Sequence, residues 1–275
     1  MGEGVCIMSA TGLKALLITA PGINCDLELG EAFQLAGAEP ETILLSRLLR
    51  RPSEVDRFDL VGLPGGFSYG DDVGAGRVMA HLIRQGLYPA LAAAIERGVP
   101  MIAPCNGFQI AVQAGLLPGP SHGESWPQSP PTPTVSLVEN TAGRFHDCWT
   151  RVEIPAETRC VWTAGIDLAG HDAVLPSAHG EGRFFASEET LDALESSGQV
   201  AVKYAREDNF NGSSRSIAGI CDASGLVLGL MPHPERFTRW TQHPTWTRLD
   251  PGSMDVDTLG MAMFRNAIEH ARALV

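Results

Sequence analysis

The sequence predicts an α/β protein built on a mixed, mostly parallel sheet flanked by helices. Apolar runs of strand length alternate with stretches of helical periodicity, the runs stop abruptly at Pro, Gly and Asn, and strand-like runs crowd the second half. Ala15–Thr19 (ALLIT) forms the first buried strand, after which Pro21, Gly22 and Asn24 turn the chain into a helix starting near Asp26, with Leu29, Ala32, Phe33 and Ala36 on one face. Ile43–Leu45 and Asp59–Leu63 are further apolar runs, the second ending at Pro64-Gly65-Gly66. A helix is expected over Pro89–Arg97, a strand over Val99–Ala103 and a helix over Asn106–Ala114, the alternation of parallel β-α-β units.

From 117 to 134 the pattern fails. The stretch LPGPSHGESWPQSPPTPT is rich in Pro, Ser and Gly and is expected to be a surface loop insertion. Strands are expected near Val135–Val138, Arg151–Ile154, Ala173–Pro176, Val200–Tyr204, Ser216–Cys221 and Leu226–Met231, mixing antiparallel pairs into the sheet. Met261, Phe264, Ile268 and Ala271 recur at helical spacing, so Val256–Val275 closes the chain as a helix. With no internal repeat and no linker, residues 14–275 read as one domain preceded by an N-terminal extension, 1–13.

A chain of 275 residues, 44% hydrophobic, can bury a substantial core. Its net charge of −12 supplies no basic stripe for phosphates, which argues against nucleic-acid binding. No segment is long enough to span a bilayer, and Met1–Leu13 lacks the features of a signal peptide. The six cysteines, Cys6, Cys25, Cys105, Cys148, Cys160 and Cys221, are scattered without a C-x-x-C pair, which fits free thiols in a reducing cytoplasm. The eight histidines show no paired ligand spacing, so no metal site is expected.

One thiol has chemistry built around it. VPMIAPCNGFQIAVQAG places Cys105 between a strand and a helix with Gly107 two residues on, the layout of a nucleophile elbow, although Ala103 stands where such elbows commonly carry glycine and Pro104 removes an N–H. N–H groups at the helix start would stabilise a thiolate and an oxyanion. Taken alone, Cys105 reads equally as a buried structural thiol.

A thiol nucleophile needs a base and an orienting group. LVLGLMPHPE, Leu226–Glu235, offers both: the two prolines favour extended backbone before them, and alternation in an extended segment puts His233 and Glu235 on one side. Gly65 and Gly66 end a strand and can approach a ligand, with the Asn106 amide, as oxyanion donors. The same run lacks G-K-[ST] and is no phosphate loop.

Five blocks then occur in one order: PGGFSYGDD (Pro64–Asp72), CNGFQ (Cys105–Gln109), NTAGRF (Asn140–Phe145), HGEGRF (His179–Phe184) and MPHPER (Met231–Arg236), with NGSSRSIAGI at Asn211–Ile220 adding to them. Together they resemble the glutaminase subunit of phosphoribosylformylglycinamidine synthase, a class I glutamine amidotransferase. The resemblance spans roughly Lys14 to Arg239. It implies the flavodoxin-like class I amidotransferase fold, with Cys105 as nucleophile, His233 as base and Glu235 as orienting acid. It further implies oxyanion donors at Gly66 and Asn106, and Phe67, Gln109 and Asn140 near bound glutamine. No cofactor is implied in this subunit; ATP and Mg belong to a large synthetase partner, with room for a small third subunit. Two alternatives stay open at this point: a stand-alone γ-glutamyl hydrolase, and a catalytically silent binding subunit of the same fold.

Overall fold

The structure, a computed structural model, describes residues 12–166, 173–249 and 251–274; most of the expected N-terminal extension, Cys6 included, lies outside them. β1 (Lys14–Thr19) is buried on both faces, with Leu16 and Ile18 in one core and Ala15 and Leu17 in the other. α1 (Asp26–Ala36) lays Leu29, Ala32 and Phe33 on the sheet and stops at Gly37, whose left-handed φ of 107° lets its N–H close on the Phe33 and Gln34 carbonyls. β2 (Glu39–Leu44), α2 (Leu45–Arg50), β3 (Leu60–Gly62), α3 (Arg77–Gly86), α4 (Tyr88–Glu96), β4 (Met101–Pro104) and α5 (Asn106–Ala114) complete the first half.

The second half holds β5 (Val135–Val138), β6 (His146–Glu153), β7 (Val174–His179), β8 (Arg183–Ala186), α6 (Glu188–Ser196), β9 (Val200–Tyr204), β10 (Ile217–Cys221), β11 (Val227–Leu230) and α7 (Leu259–Arg272). Nine strands form one sheet in the order β2-β1-β3-β4-β11-β10-β9-β6-β7, while β5 pairs with β8 apart from it. Every pairing from β2 to β11 is parallel and every pairing from β11 to β7 antiparallel, so the mixture is segregated into two halves. α1 and α7 pack together on one face, where Phe33, Trp162 and Phe264 meet edge to face with centroids 5.2 to 6.3 Å apart. α3, α4 and α5 supply the core on the opposite face.

The observed elements differ from expectation where glycine or side-chain polarity masks periodicity. The sequence does not announce α3, because its buried Met79, Ala80 and Ile83 come after a glycine-rich turn and alternate with His81, Arg84 and Gln85. β2 reaches back to Glu39, and Leu45 already belongs to α2. α7 starts only at Leu259, after Thr258 caps it by accepting from the Met261 N–H at 3.3 Å. Among the described residues no helix is long and apolar enough to cross a membrane.

The 117–134 segment carries no helix or strand, yet it is anchored. Trp126 is buried beside Tyr88, its N–H donates to Glu96 Oε1 at 2.9 Å, and the Arg84 guanidinium donates to the Pro130 and Pro131 carbonyls at 3.0 and 2.9 Å. Arg84→Ala should therefore cost about 1–2 kcal/mol and open this segment to limited proteolysis, detectable as a cut between 117 and 134 that the wild type resists.

Candidate active site

β1, β3, β4 and β11 are neighbouring parallel strands, and four antiparallel steps bring β7 back to the same direction, so all five end on one edge of the sheet. Ligand crevices of α/β sheets form at such an edge. Here the strand ends deliver Asn24 and Cys25, Gly66 and Phe67, Cys105, His233, and His179 to Glu181 around a cavity of about 330 Å³.

Cys105 comes directly after β4 and leads α5 with φ 52° and ψ −111°, a left-handed conformation that a non-glycine residue takes only at a cost of roughly 1–3 kcal/mol. Its N–H donates to the Leu230 carbonyl at 2.8 Å, and its carbonyl accepts from the Phe108 and Gln109 N–H groups. The Ala103-Pro104 approach leaves this turn intact. The Met101 and Cys105 N–H groups face β11, whereas Pro104 is in the opposite phase, toward β3, whose pairing with β4 ends at Gly62 and Ile102. The missing N–H therefore removes no bond to β11.

Gly107 is required by space. A Cβ there would sit 1.9 Å from the Leu63 carbonyl oxygen, so only glycine lets α5 lie against the end of β3. Gly107→Ala should destabilise the protein by roughly 2–4 kcal/mol, read as a lowered midpoint in urea unfolding.

His233 and Glu235 do come together, but by a different route from the extended segment that the prolines suggest. Pro234 opens a 3-10 turn through Arg236, and this turn folds the carboxylate back onto the ring with His233 Nδ1 to Glu235 Oε1 at 2.6 Å. Both side chains are buried, and the His233 N–H is anchored on the Pro176 carbonyl at 2.7 Å. The position that a Cβ on Gly65 would take lies 3.0 Å from His233 Cε1 and 3.4 Å from Cys105 Cβ, so imidazole and nucleophile meet over the bare glycine. Burial pushes the His233 pKa down, but the Glu235 carboxylate and the Cys105 sulfur outweigh it and hold the ring well above the usual histidine value.

Asn106 is fully buried and linked through its side chain. Its Oδ1 accepts from the Ser68 N–H at 3.1 Å, its Nδ2 donates to Gln109 Oε1 at 2.8 Å, and Gln109 Nε2 donates to the Glu181 carbonyl at 2.5 Å. This relay joins the glycine-rich turn, the elbow and the loop after β7. Among the described residues, no carbonyl accepts from the Gly66 or Asn106 N–H, and Gly66 lines the cavity. A Cβ on Gly66 (φ 140°) would meet the Asn24 nitrogen at 2.7 Å.

Phe67 lines the mouth of the cavity, half exposed, with Phe145 at 6.4 Å. Gln109 also lines it, with its amide spent on the relay. Asn140 is placed behind the wall: its Nδ2 donates to the His179 carbonyl at 2.8 Å and its Oδ1 accepts from the Gly182 N–H, which shapes the loop that faces the cavity.

Asp71, His179, Glu181 and Arg236 fall inside the blocks quoted above without being singled out there as site residues, and Cys25 falls outside them; all five line the cavity. Cys25 accepts from Arg236 Nη2 at 3.0 Å, and burial and then Glu235 push its thiol up to about 12, so it is no nucleophile. The available signal was the Pro21-Gly22 turn. A Cβ on Gly22 would come 2.0 Å from the Phe67 carbonyl oxygen, so the turns after β1 and β3 interlock. Ligand atoms of Cys25, His233 and Glu235 lie within 4.8 Å of one another, but the Arg236 guanidinium and the His-Glu hydrogen bond already occupy that cluster.

Residues 13–271 match the family of CobB/CobQ-like glutamine amidotransferase domains. The chain is also 40% identical to phosphoribosylformylglycinamidine synthase subunit PurQ of Dehalococcoides mccartyi, over 94% of this chain and 98% of that protein. It belongs to the PurQ family of glutamine amidotransferases. The PurQ subunit of Methanococcus maripaludis is 33% identical over 94% of this chain and 97% of its own length. The solved structure of PurLQS from Thermotoga maritima aligns with a TM-score of 0.69 at 29% identity, covering 94% of this chain and 99% of the matched one. The PurQ family fold is thus the α/β amidotransferase fold described above.

Proposed function

We propose that this chain is the glutaminase subunit of phosphoribosylformylglycinamidine synthase. The observation that carries the chemistry is the strained Cys105 at the head of α5, meeting a buried His233–Glu235 pair over Gly65. Membership of the PurQ family supports the pathway.

In this reading the Cys105 thiolate attacks the δ-carbonyl carbon of glutamine, and the Gly66 and Asn106 N–H groups receive the oxyanion. As the tetrahedral intermediate collapses, protonated His233 gives its proton to the departing ammonia, leaving a γ-glutamyl thioester. Neutral His233 then takes a proton from water, the hydroxide releases glutamate, and the thiolate is regenerated beside the imidazolium. Glu235 fixes the Nδ1–H tautomer throughout. Phe67 and the Gln109 wall enclose the substrate.

The ammonia goes to a large ATP-dependent synthetase that converts formylglycinamide ribonucleotide to its amidine, with a small third subunit in the assembly. This chain needs no cofactor, since ATP and Mg serve the synthetase. Residues 14–275 act as one amidotransferase domain, supported by the single nine-stranded sheet. A cytoplasmic location is supported by the free Cys25, Cys105, Cys148, Cys160 and Cys221.

The test is co-purification from the native source with an assay of glutamine turnover. Turnover should be slow for the isolated chain and rise when the synthetase and its substrates are added. Fast turnover that the synthetase leaves unchanged would instead identify a stand-alone γ-glutamyl hydrolase.

A further inference from the structure

The block NGSSRSIAGI is left without a role by the triad and the oxyanion donors. Its first residues belong to a turn between β9 and β10, closed where Asn209 Oδ1 and Asn211 Oδ1 both accept from the Ser213 N–H at 3.0 Å. Asn211 is fully buried, and its Nδ2 donates to the Gly182 carbonyl at 2.9 Å and, more weakly, to the Tyr204 hydroxyl at 3.4 Å. The Asn211 carbonyl accepts from the Thr141 N–H at 3.1 Å, and a Cβ on Gly212 (φ 77°) would meet Thr141 Cγ2 at 2.5 Å. The turn is thus pressed against the segment that carries Asn140. In front of it, the Phe210 ring lies against the His179 ring with centroids 5.3 Å apart.

The bond to Gly182 completes a pattern along the loop after β7. Four successive carbonyls, from His179 to Gly182, each accept a hydrogen bond: Asn140 Nδ2 takes that of His179, the Asn140 N–H that of Gly180, Gln109 Nε2 that of Glu181 and Asn211 Nδ2 that of Gly182. Beyond them, Ser213 Oγ accepts from the Phe184 N–H at 3.0 Å. Gln109, Asn140, Asn211 and Ser213 are all at most 4% exposed. A loop with glycine at 180 and 182 has little conformational preference of its own, and a buried carbonyl left unpaired is costly, so these donors set its shape. His179, Gly180 and Glu181 line the cavity, and Asn211 grips the residue that follows them from behind. The near end of the loop is fixed separately: Ala178, whose carbonyl faces Cys105 Sγ at 3.6 Å, still belongs to β7 and pairs with Asp147.

We infer that Asn211 is a positioning residue for the glutaminase reaction: through the Gly182 carbonyl it holds the wall of the cavity in the shape that receives the substrate, without touching the substrate itself. The inference rests on the glutaminase reading and deepens it. Cys105 faces β7 and not the loop beyond it, so releasing the loop weakens binding more than it slows the chemistry.

Asn211→Leu tests this on the full-length chain with the synthetase present, because it removes the donor to Gly182 while Asn209 still closes the turn. KM for glutamine should rise about 10-fold, with kcat within about threefold of wild type. Backbone hydrogen exchange over residues 179–184, followed by mass spectrometry, should quicken by about the same factor while α5 keeps its wild-type protection. Tyr204→Phe, which removes only the weaker partner of Asn211 Nδ2, is the control for general loosening of this core and should leave KM unchanged. If Asn211→Leu does not fold, Ser213→Ala, which frees the Phe184 N–H, carries the comparison with the same expected direction. An unchanged KM in the folded variant, a kcat that falls as far as KM rises, or an equal rise of KM in Tyr204→Phe overturns the positioning role. If the wild-type chain hydrolyses no glutamine even with the synthetase, the glutaminase reading itself fails and takes the positioning role with it.

Discussion

Replacing Cys105 by alanine will reduce glutamine hydrolysis by at least about 1,000-fold while leaving the protein folded. The thiol is the only group of the protein that bonds to carbon in the proposed sequence of steps, so neither His233 nor the oxyanion donors can substitute for it. Folding should survive because the position is held by the backbone: the bond from the Cys105 N–H to Leu230 and the two bonds to its carbonyl remain, and alanine removes a single sulfur. Far-UV circular dichroism and the unfolding midpoint should match the wild type. A residual rate within tenfold of wild type would move the nucleophile elsewhere.

Glu235→Gln will lower kcat by roughly 100- to 10,000-fold with little change in KM, because the carboxylate touches His233 and not the substrate. The glutamine isostere can still accept from Nδ1, but it no longer carries the charge that holds the ring protonated against burial. The His233 Cε1 proton, observed by NMR, should therefore titrate well above about 6.5 in the wild type and at distinctly lower pH in the variant. The same shift fixes the sign of a stability effect. The folded value is raised above the unfolded one, so the stabilisation is complete below about 6.5 and is lost as pH rises through the folded value. The stability gap between wild type and variant should narrow as the medium becomes alkaline. A gap that widens would contradict the imidazolium–carboxylate pairing.

Much of this was legible in the residues. Asn106–Ala114 and Val200–Tyr204 form the expected elements, because the first is bounded by the elbow and by Gly115 (φ 84°) and the second sets the β-branched Val200 and Val202 and the aromatic Tyr204 at alternate buried positions. Cys105, His233 and Glu235 stood out since each comes after an apolar strand, and strands buried in one sheet end at shared edges. The 3-10 turn at Pro234 was not legible: proline restricts the residue before it, whereas the course of the backbone beyond it depends on the His-Glu contact that the turn itself creates. Asp71 and Glu181 lie in two of the quoted blocks, but their meeting was not legible, for another reason. Their common wall is made by a hydrogen bond between Ala75 and Glu181, residues 106 positions apart in segments with no periodicity to relate them.

The bond from the Cys105 N–H to the Leu230 carbonyl has a mechanical meaning. The chain runs from that carbonyl at the end of β11 to His233 in three residues, so nucleophile and base hang from the two ends of one rung. When the sheet breathes, both are carried in the same direction, and the separation of thiolate and imidazolium changes less than the position of either residue. Loops can rearrange at the cavity mouth without detuning the pair.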